Sequence, residues 1–140
     1  MNIKSGYWYT LGSYDAQART FNVNKKTGAS PMTEVGDTVE FYDSATFERL
    51  GSFTDTEVSG DTGAMQLTVK QRISGSVDWS NAMMTNVSKV AEFTFKNNIV
   101  RNKRNRGILV QVRGALIENN AFLNVGHGSM QIASAMDQYN

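Results

Sequence analysis

The chain has 140 residues, 40% of them hydrophobic and 19% charged, with a net charge of +1, so it reads as globular and sized for one domain or two very small ones. It has no cysteine and a single histidine, His127, which excludes disulfides and thiolate metal sites and argues against a multi-histidine metal centre or an intrachain Ser-His-Asp triad. No apolar run approaches the roughly 18 residues that cross a bilayer, and the start, MNIKSGYWYTLGSYD, has no apolar stretch of signal-peptide length; the expectation is no membrane partner, and either a cytoplasmic chain or one whose native start lies upstream.

In chain order, the first feature is Tyr7-Trp8-Tyr9. Alternation in a short strand puts Tyr7 and Tyr9 on one face and Trp8 on the other. Such rings serve as core or cross-strand partners, the favoured reading, or as a platform on which a sugar ring stacks; Trp8 is therefore kept as a candidate substrate contact. The chain has one proline, Pro31, and 12 glycines, mostly between short β-rich runs. After the turn signal Gly36-Asp37, Thr38-Val39-Glu40-Phe41-Tyr42 alternates as a strand. Ser44–Leu50 reads as a loop with one helical turn. Gly51-Ser52-Phe53-Thr54 and Met65-Gln66-Leu67-Thr68-Val69-Lys70 are further strands, separated by Gly60-Asp61-Thr62-Gly63. Asp37 and Asp61, each beside a glycine, are read as turn formers. The pattern predicts an antiparallel meander or small barrel over residues 1–74.

Residues 75–140 read differently. Phe93-Thr94-Phe95-Lys96-Asn97-Asn98-Ile99-Val100-Arg101-Asn102 aligns with Ala115-Leu116-Ile117-Glu118-Asn119-Asn120-Ala121-Phe122-Leu123-Asn124. The offset is the same for the Asn-Asn pairs (119 − 97) and for the trailing asparagines (124 − 102). A glycine and a strand follow each: Gly107-Ile108-Leu109-Val110-Gln111 and Gly128-Ser129-Met130-Gln131-Ile132. The offset between these glycines is smaller by one (128 − 107), which reads as a single residue lost from the loop. Asn81–Asn86 is read as an earlier partial copy. A period of about 20 residues marks a solenoid, and short strands with asparagine at one turn fit coils of a right-handed parallel β-helix. An inward asparagine at a tight turn adopts the left-handed conformation and hydrogen-bonds its equivalent one coil away; Asn98 and Asn120 are expected to form such a ladder, the alternative being ordinary Asn-Asn turns. The predicted fold class is thus all-β, with a short right-handed parallel β-helix of about 22-residue coils. Solenoids need about three repeats and capped ends. Two clear coils and one partial one imply either a piece of a longer protein or an end covered by another copy, and exposed strand edges then predict a homo-oligomer, a symmetric dimer.

The runs Phe95–Asn98, Asn102–Gln111 and Leu116–Phe122 resemble the C-terminal coils of β-helical glycoside hydrolases, and most closely in pattern the alpha-1,3-galactosidases. Gly36-Asp37-Thr38-Val39-Glu40-Phe41 is similar to a strand of the small β-barrel that this family carries. The resemblance covers about residues 36–135 and is specific over 95–122. It implies carbohydrate as the partner and, for an active member, galactosidase-type hydrolysis. It implies that Arg106, whose guanidinium fork suits a sugar or carboxylate, and Gln111 on the strand it opens are substrate contacts. One departure bears on activity: the family's catalytic aspartate-pair coil lies upstream of the barrel, whereas this chain has no Asp-Asp pair and nothing before Tyr7 to hold that coil. The expectation for this chain alone is no catalysis.

Hydrolysis of a glycosidic bond needs two carboxylates roughly 5–10 Å apart. In the second half Asp78, Glu92 and Glu118 are available, and Glu118 and Asp78 are the candidates for a non-family catalytic pair. In register, however, Glu118 falls beside Lys96, and a cross-coil ion pair is the favoured reading. Arg101-Asn102-Lys103-Arg104-Asn105-Arg106 is the sharpest cationic cluster, but without interleaved aromatics it reads as a solvated loop, which argues against nucleic acid. His127, between Gly126 and Gly128, reads as a surface turn residue. No phosphate loop, dinucleotide fingerprint, EF-hand or zinc signature is present, so no cofactor is expected. Three functional readings follow: a carbohydrate-related module inactive alone, a non-enzymatic module that self-associates, and a hydrolase using a carboxylate pair of its own.

Overall fold

A computed structural model of the chain describes residues 2–4, 8–24, 33–61 and 63–133, and every regular element among them is a strand. In chain order these are β1 (Asn2–Lys4), β2 (Trp8–Asp15), β3 (Thr20–Asn24), β4 (Thr38–Asp43), β5 (Arg49–Gly60), β6 (Ala64–Val69), β7 (Ala82–Asn86), β8 (Phe93–Lys96), β9 (Ile99–Lys103), β10 (Ile108–Gln111), β11 (Ala115–Glu118), β12 (Ala121–Val125) and β13 (Met130–Ile132). Tyr7, Pro31, Thr62 and residues 134–140 lie outside the described residues. The strands sort into two compact units: residues 8–89, and β1 together with residues 90–133.

The first unit is a closed antiparallel barrel of strand order β2-β3-β6-β5-β4-β7. Alternation decides which side chains face inward. Phe21 and Val23 of β3, Met65, Leu67 and Val69 of β6, and Val39 and Phe41 of β4 are all buried, each two positions from the next along its strand. Phe21, Phe41 and Phe53 meet at the centre, with ring centroids 4.3 to 5.8 Å apart. Trp79, outside the strands, packs on all three at 5.3 to 6.2 Å, and its Nε1 donates to the Ser74 carbonyl at 3.0 Å. Closure leaves no free edge, and the curvature it requires is taken up where pairing slips, between Leu11 and Ser13, Phe41 and Tyr42, and Asp55 and Glu57. At the β5–β6 hairpin, Gly60 has φ +102, and a Cβ there would run into the Ala64 carbonyl oxygen, so only glycine fits.

Two expectations change here. The unit runs past residue 74 to Lys89, so Asp78 and Trp79 belong to the barrel. Asn81–Asn86 is not a further copy of the repeat: β7 pairs antiparallel with β2 and β4, and every one of its residues is buried. The asparagines at both ends of that run imitate the repeat, but its continuous burial fits a strand covered on both faces. The turn expected in Ser44–Leu50 is present, closed by the Phe47 amide on the Asp43 carbonyl at 2.9 Å, while Arg49 and Leu50 already belong to β5.

Among the described residues, the strands of the second unit pair only in parallel. Phe93 pairs with Ala115 (115 − 93 = 22) and Ile99 with Ala121 (121 − 99 = 22). Ile108 pairs with Met130 (130 − 108 = 22), so the strands after Gly107 and Gly128 run parallel. The offset is the same in all three pairings; the lost residue read from the glycines is absent, because Gly107 lies opposite Ser129 rather than Gly128. A Cβ on Gly107 would collide with the Ser129 carbonyl and the Phe122 ring, which explains the glycine there. Bonds between strands continue the contact around the turns: the Asn97 amide to the Glu118 carbonyl, Ala121 to Asn98, and Gly126 to Lys103, at 2.8 to 3.1 Å. The N-terminal segment contributes as well. β1 pairs parallel with β10, Asn2 opposite Leu109, so Asn2–Lys4, expected within the barrel region of residues 1–74, is a strand of this unit.

This arrangement explains the burial. β10 has a strand on each side, β1 and β13, and it is buried along its whole length. β11, β12 and β13 are each paired on one side, and Leu116, Leu123, Met130 and Ile132 stand exposed. Replacement Phe21→Ala is expected to lower stability by about 3–5 kcal/mol, read as a lower guanidinium midpoint by tryptophan fluorescence, since both tryptophans lie in the barrel. Met130→Ala, at 43% exposure, should move the far-ultraviolet midpoint by no more than about 0.5 kcal/mol.

Candidate functional site

The constant register brings the asparagines together. The main-chain amide and Nδ2 of Asn98 both donate to Asn120 Oδ1, at 2.9 and 3.2 Å. Asn120 Nδ2 donates to the Phe95 carbonyl at 2.7 Å, and Asn98 Nδ2 to the Lys96 carbonyl at 2.7 Å. The left-handed residues are their neighbours, Asn97 (φ 55) and Asn119 (φ 53). In each Asn-Asn pair the first residue turns the chain and the second bonds across the repeat, a division of labour that composition alone does not reveal. A second pair escaped the sequence reading as a bond, although its spacing was visible: Asn124 Nδ2 donates to Asn102 Oδ1 at 3.0 Å, both residues left-handed.

On the same unit Lys96 Nζ lies 3.0 Å from Glu118 Oε2, with both side chains partly exposed, as their pairing across β8 and β11 dictates. Glu118 is therefore matched to a cation. Residues 101–106 are all solvent-exposed, Arg106 included, while Gln111, at the end of β10, is buried. Arg106 and Gln111 thus do not share one exposed surface. Glu92 and His127 are exposed.

In the barrel the aspartates act mainly as turn acceptors. Asp15 Oδ1 takes the Gln17 and Ala18 amides, Asp43 Oδ1 those of Ala45 and Thr46, and Asp61 Oδ1 those of Gly63 and Ala64. Asp78 Oδ1 takes the Ser80 amide at 3.0 Å. Such amide bonds favour the ionised form: the Thr46 amide holds Asp43, the Gly63 amide Asp61 and the Ser80 amide Asp78 below the usual carboxylate range. Asp78 is consequently a poor general acid, and it belongs to a different unit from Glu118. Among the described residues no three His, Asp or Glu side chains come together to hold a metal ion.

Trp8 is half-buried and meets the Tyr42 ring edge-on, centroids 5.7 Å apart. The Tyr42 hydroxyl donates to Glu40 Oε2 at 2.6 Å, and Arg49 Nη1 lies 3.3 Å from Glu40 Oε1. Trp8 thus packs on Tyr42 across β7, which pairs with both of their strands, beside a polar cluster. A concave feature lies elsewhere on the barrel. Leu11, Gly12, Ser13 and Tyr14 of β2 and Val77, Asp78, Trp79 and Ser80 before β7 line a cleft of about 480 Å³. Tyr14 is 38% exposed and leans on Trp79 with centroids 5.7 Å apart. The cleft so combines an open aromatic ring, a carboxylate held ionised and two serine hydroxyls. Tyr14 was not singled out from the sequence, because a lone aromatic after a glycine and a serine carries no distinctive pattern.

Asn120→Ala is expected to cost about 1–3 kcal/mol, because the Asn98 amide loses its acceptor, and to speed hydrogen exchange at Asn98. Glu118→Gln should cost less than about 1 kcal/mol, as for an exposed ion pair; unfolding and amide exchange of the two variants distinguish these magnitudes. No protein-family model matches the chain, and no curated protein matches it.

Proposed function

We propose that the chain is a carbohydrate-related module whose parallel unit is a stretch of right-handed β-helix resembling part of a galactosidase-type glycoside hydrolase, and that it lacks a catalytic carboxylate pair of its own. The observation that carries this reading is the constant parallel register, stitched by asparagine side chains, in the same run of sequence that bears the resemblance. In sequence the antiparallel barrel falls between β1 and the strands that follow it in the parallel unit, which fits a family that carries a small barrel in its helix. The barrel cleft is the proposed contact for sugar: a pyranose ring packs on the Tyr14 face while its hydroxyls donate to Asp78 and exchange bonds with Ser13 and Ser80. Catalysis is absent from the proposal because Glu118 pairs with Lys96 and Asp78 serves its turn.

A galactoside-bearing glycan array followed by calorimetry tests this. Binding is expected, weakened at least about tenfold by Tyr14→Ala, the scale of one lost ring contact, with no hydrolysis of an aryl galactoside. An array without hits removes the carbohydrate reading. Turnover abolished by Glu118→Gln would establish a carboxylate pair and overturn the non-catalytic part.

A second reading, self-association, is favoured by Leu116, Leu123, Met130 and Ile132, exposed on strands paired on one side only. Burying such a row with its unpaired amides removes both apolar surface and a free edge. Light scattering should then give twice the chain mass, and Leu123→Lys should return the monomer; a monomeric wild type at all concentrations dismisses this reading.

A further inference from the structure

The barrel contains one carboxylate treated unlike the others. Asp55 follows Phe53 on the inward face of β5 and is 1% exposed. Its main chain is fully engaged: the Asp55 amide donates to the Asp37 carbonyl at 2.9 Å, and its carbonyl accepts from the Gly36 amide at 2.8 Å. Its two carboxylate oxygens have no hydrogen-bond partner among the described residues. Asp15, Asp37, Asp43, Asp61 and Asp78 each accept main-chain amides, and Glu40 has Tyr42 and Arg49. A buried carboxylate without donors is unfavourable as an anion, and such a group in a native fold calls for a specific cause.

The surroundings select the cause. The turn before β4 supplies Asp37 and Glu34, the segment after β7 supplies Lys89, and the residue after β6 is Lys70, whose side chain is exposed. Val69 of β6 lies opposite Asp55. Lys89 Nζ is 2.8 Å from Glu34 Oε2 and 3.9 Å from Asp37 Oδ2. Asp37 Oδ2 also accepts Asn86 Nδ2 at 2.8 Å and the Glu34 amide at 2.9 Å. The donors of this corner thus serve Asp37 and Glu34 and leave Asp55 without one. No third His or acidic side chain joins Asp37 and Asp55 into a metal cage among the described residues. A proton neutralises Asp55 without needing a cage.

We propose that Asp55 is a proton switch built into the barrel: the folded state holds it as a neutral acid, and its ionisation loosens the end of the barrel where Gly36 and Asp37 are bonded to β5. Burial, with the charge of Asp37 added, pushes its pKa from the ordinary 3.8 up to about 7. Between those values the folded chain keeps a proton that the unfolded chain releases. The stabilisation is therefore fully present below about pH 3.8 and is lost as pH rises to about 7. Mildly acidic surroundings favour the closed barrel, and neutral surroundings favour its opening.

Denaturant unfolding of the full chain, followed by tryptophan fluorescence from pH 4 to 8, tests this. The wild type should show an unfolding constant rising by up to about tenfold per pH unit, the limit for one proton, and levelling near neutrality. Asp55→Asn should remove that component and leave a flatter profile. An unchanged slope in Asp55→Asn overturns the proposal. Should that variant fail to fold, carbon-13 titration of the wild-type Asp55 carboxyl decides: an inflection near 7 supports the switch, and one at or below 4 overturns it. A wild-type midpoint at pH 7 raised by added calcium, and lowered by Asp55→Asn, would assign the site to a cation and likewise overturn it.

Discussion

Every strand carries a row of amides and carbonyls along each edge, and in water-excluded surroundings those groups must find partners. Two solutions coexist in this chain. Strands β2 to β7 bend into a ring, so that the last pairs with the first. The remaining strands pair in parallel: β8, β9 and β10 each lie beside the equivalent strand one repeat along the chain, and β1 joins β10. The barrel finishes its pairing within itself, and its interior fills with Phe21, Phe41, Phe53 and Trp79. The stack has no such closure; it covers β10 completely and leaves β11 to β13 paired on one side, with apolar residues in solvent. The difference in burial between the two units follows from this geometry more than from composition.

Side-chain polarity is organised by the same need. In the stack, asparagine satisfies the groups that turns leave over: one residue of each Asn-Asn pair accepts the left-handed backbone, and the next bonds across the repeat. In the barrel, aspartate does the corresponding work at the hairpins, collecting two amides at Asp15, Asp43 and Asp61. Carboxylates so engaged are structural acceptors and have little to offer as acids. Against that background Asp55 is the exception, buried inside the ring with no donor, and Asp78 is the turn acceptor that also opens onto a cleft beside an exposed tyrosine.

Parts of the architecture were legible from the chain itself. Alternation marks Thr38–Tyr42 and Met65–Lys70, which fall on β4 (Thr38–Asp43) and β6 (Ala64–Val69) to within a residue at each end, and the spacing of Asn98 and Asn120 marks the parallel pairs. Period-two patterning and a fixed repeat leave these marks because the same faces must be buried each time. Other parts left no such mark. β1 is very short and has no pattern of its own; only its partner β10 makes it a strand. β7 lies between Asn81 and Lys89 and ends on an asparagine, much as β9 and its equivalent carry one, yet the barrel takes it up because its whole length is suited to burial.

The sequence by itself determined that the protein is all-β, that asparagines one repeat apart meet, and that Glu118 faces Lys96, because each depends on a periodicity written along the chain. Only the tertiary structure decided that Asp78 and Trp79 belong to the barrel, that Gln111 is buried while Arg106 is exposed, and that Asp55 has no partner. Those properties depend on which distant strands close around a residue, and burial and hydrogen-bond satisfaction are set by neighbours remote in sequence.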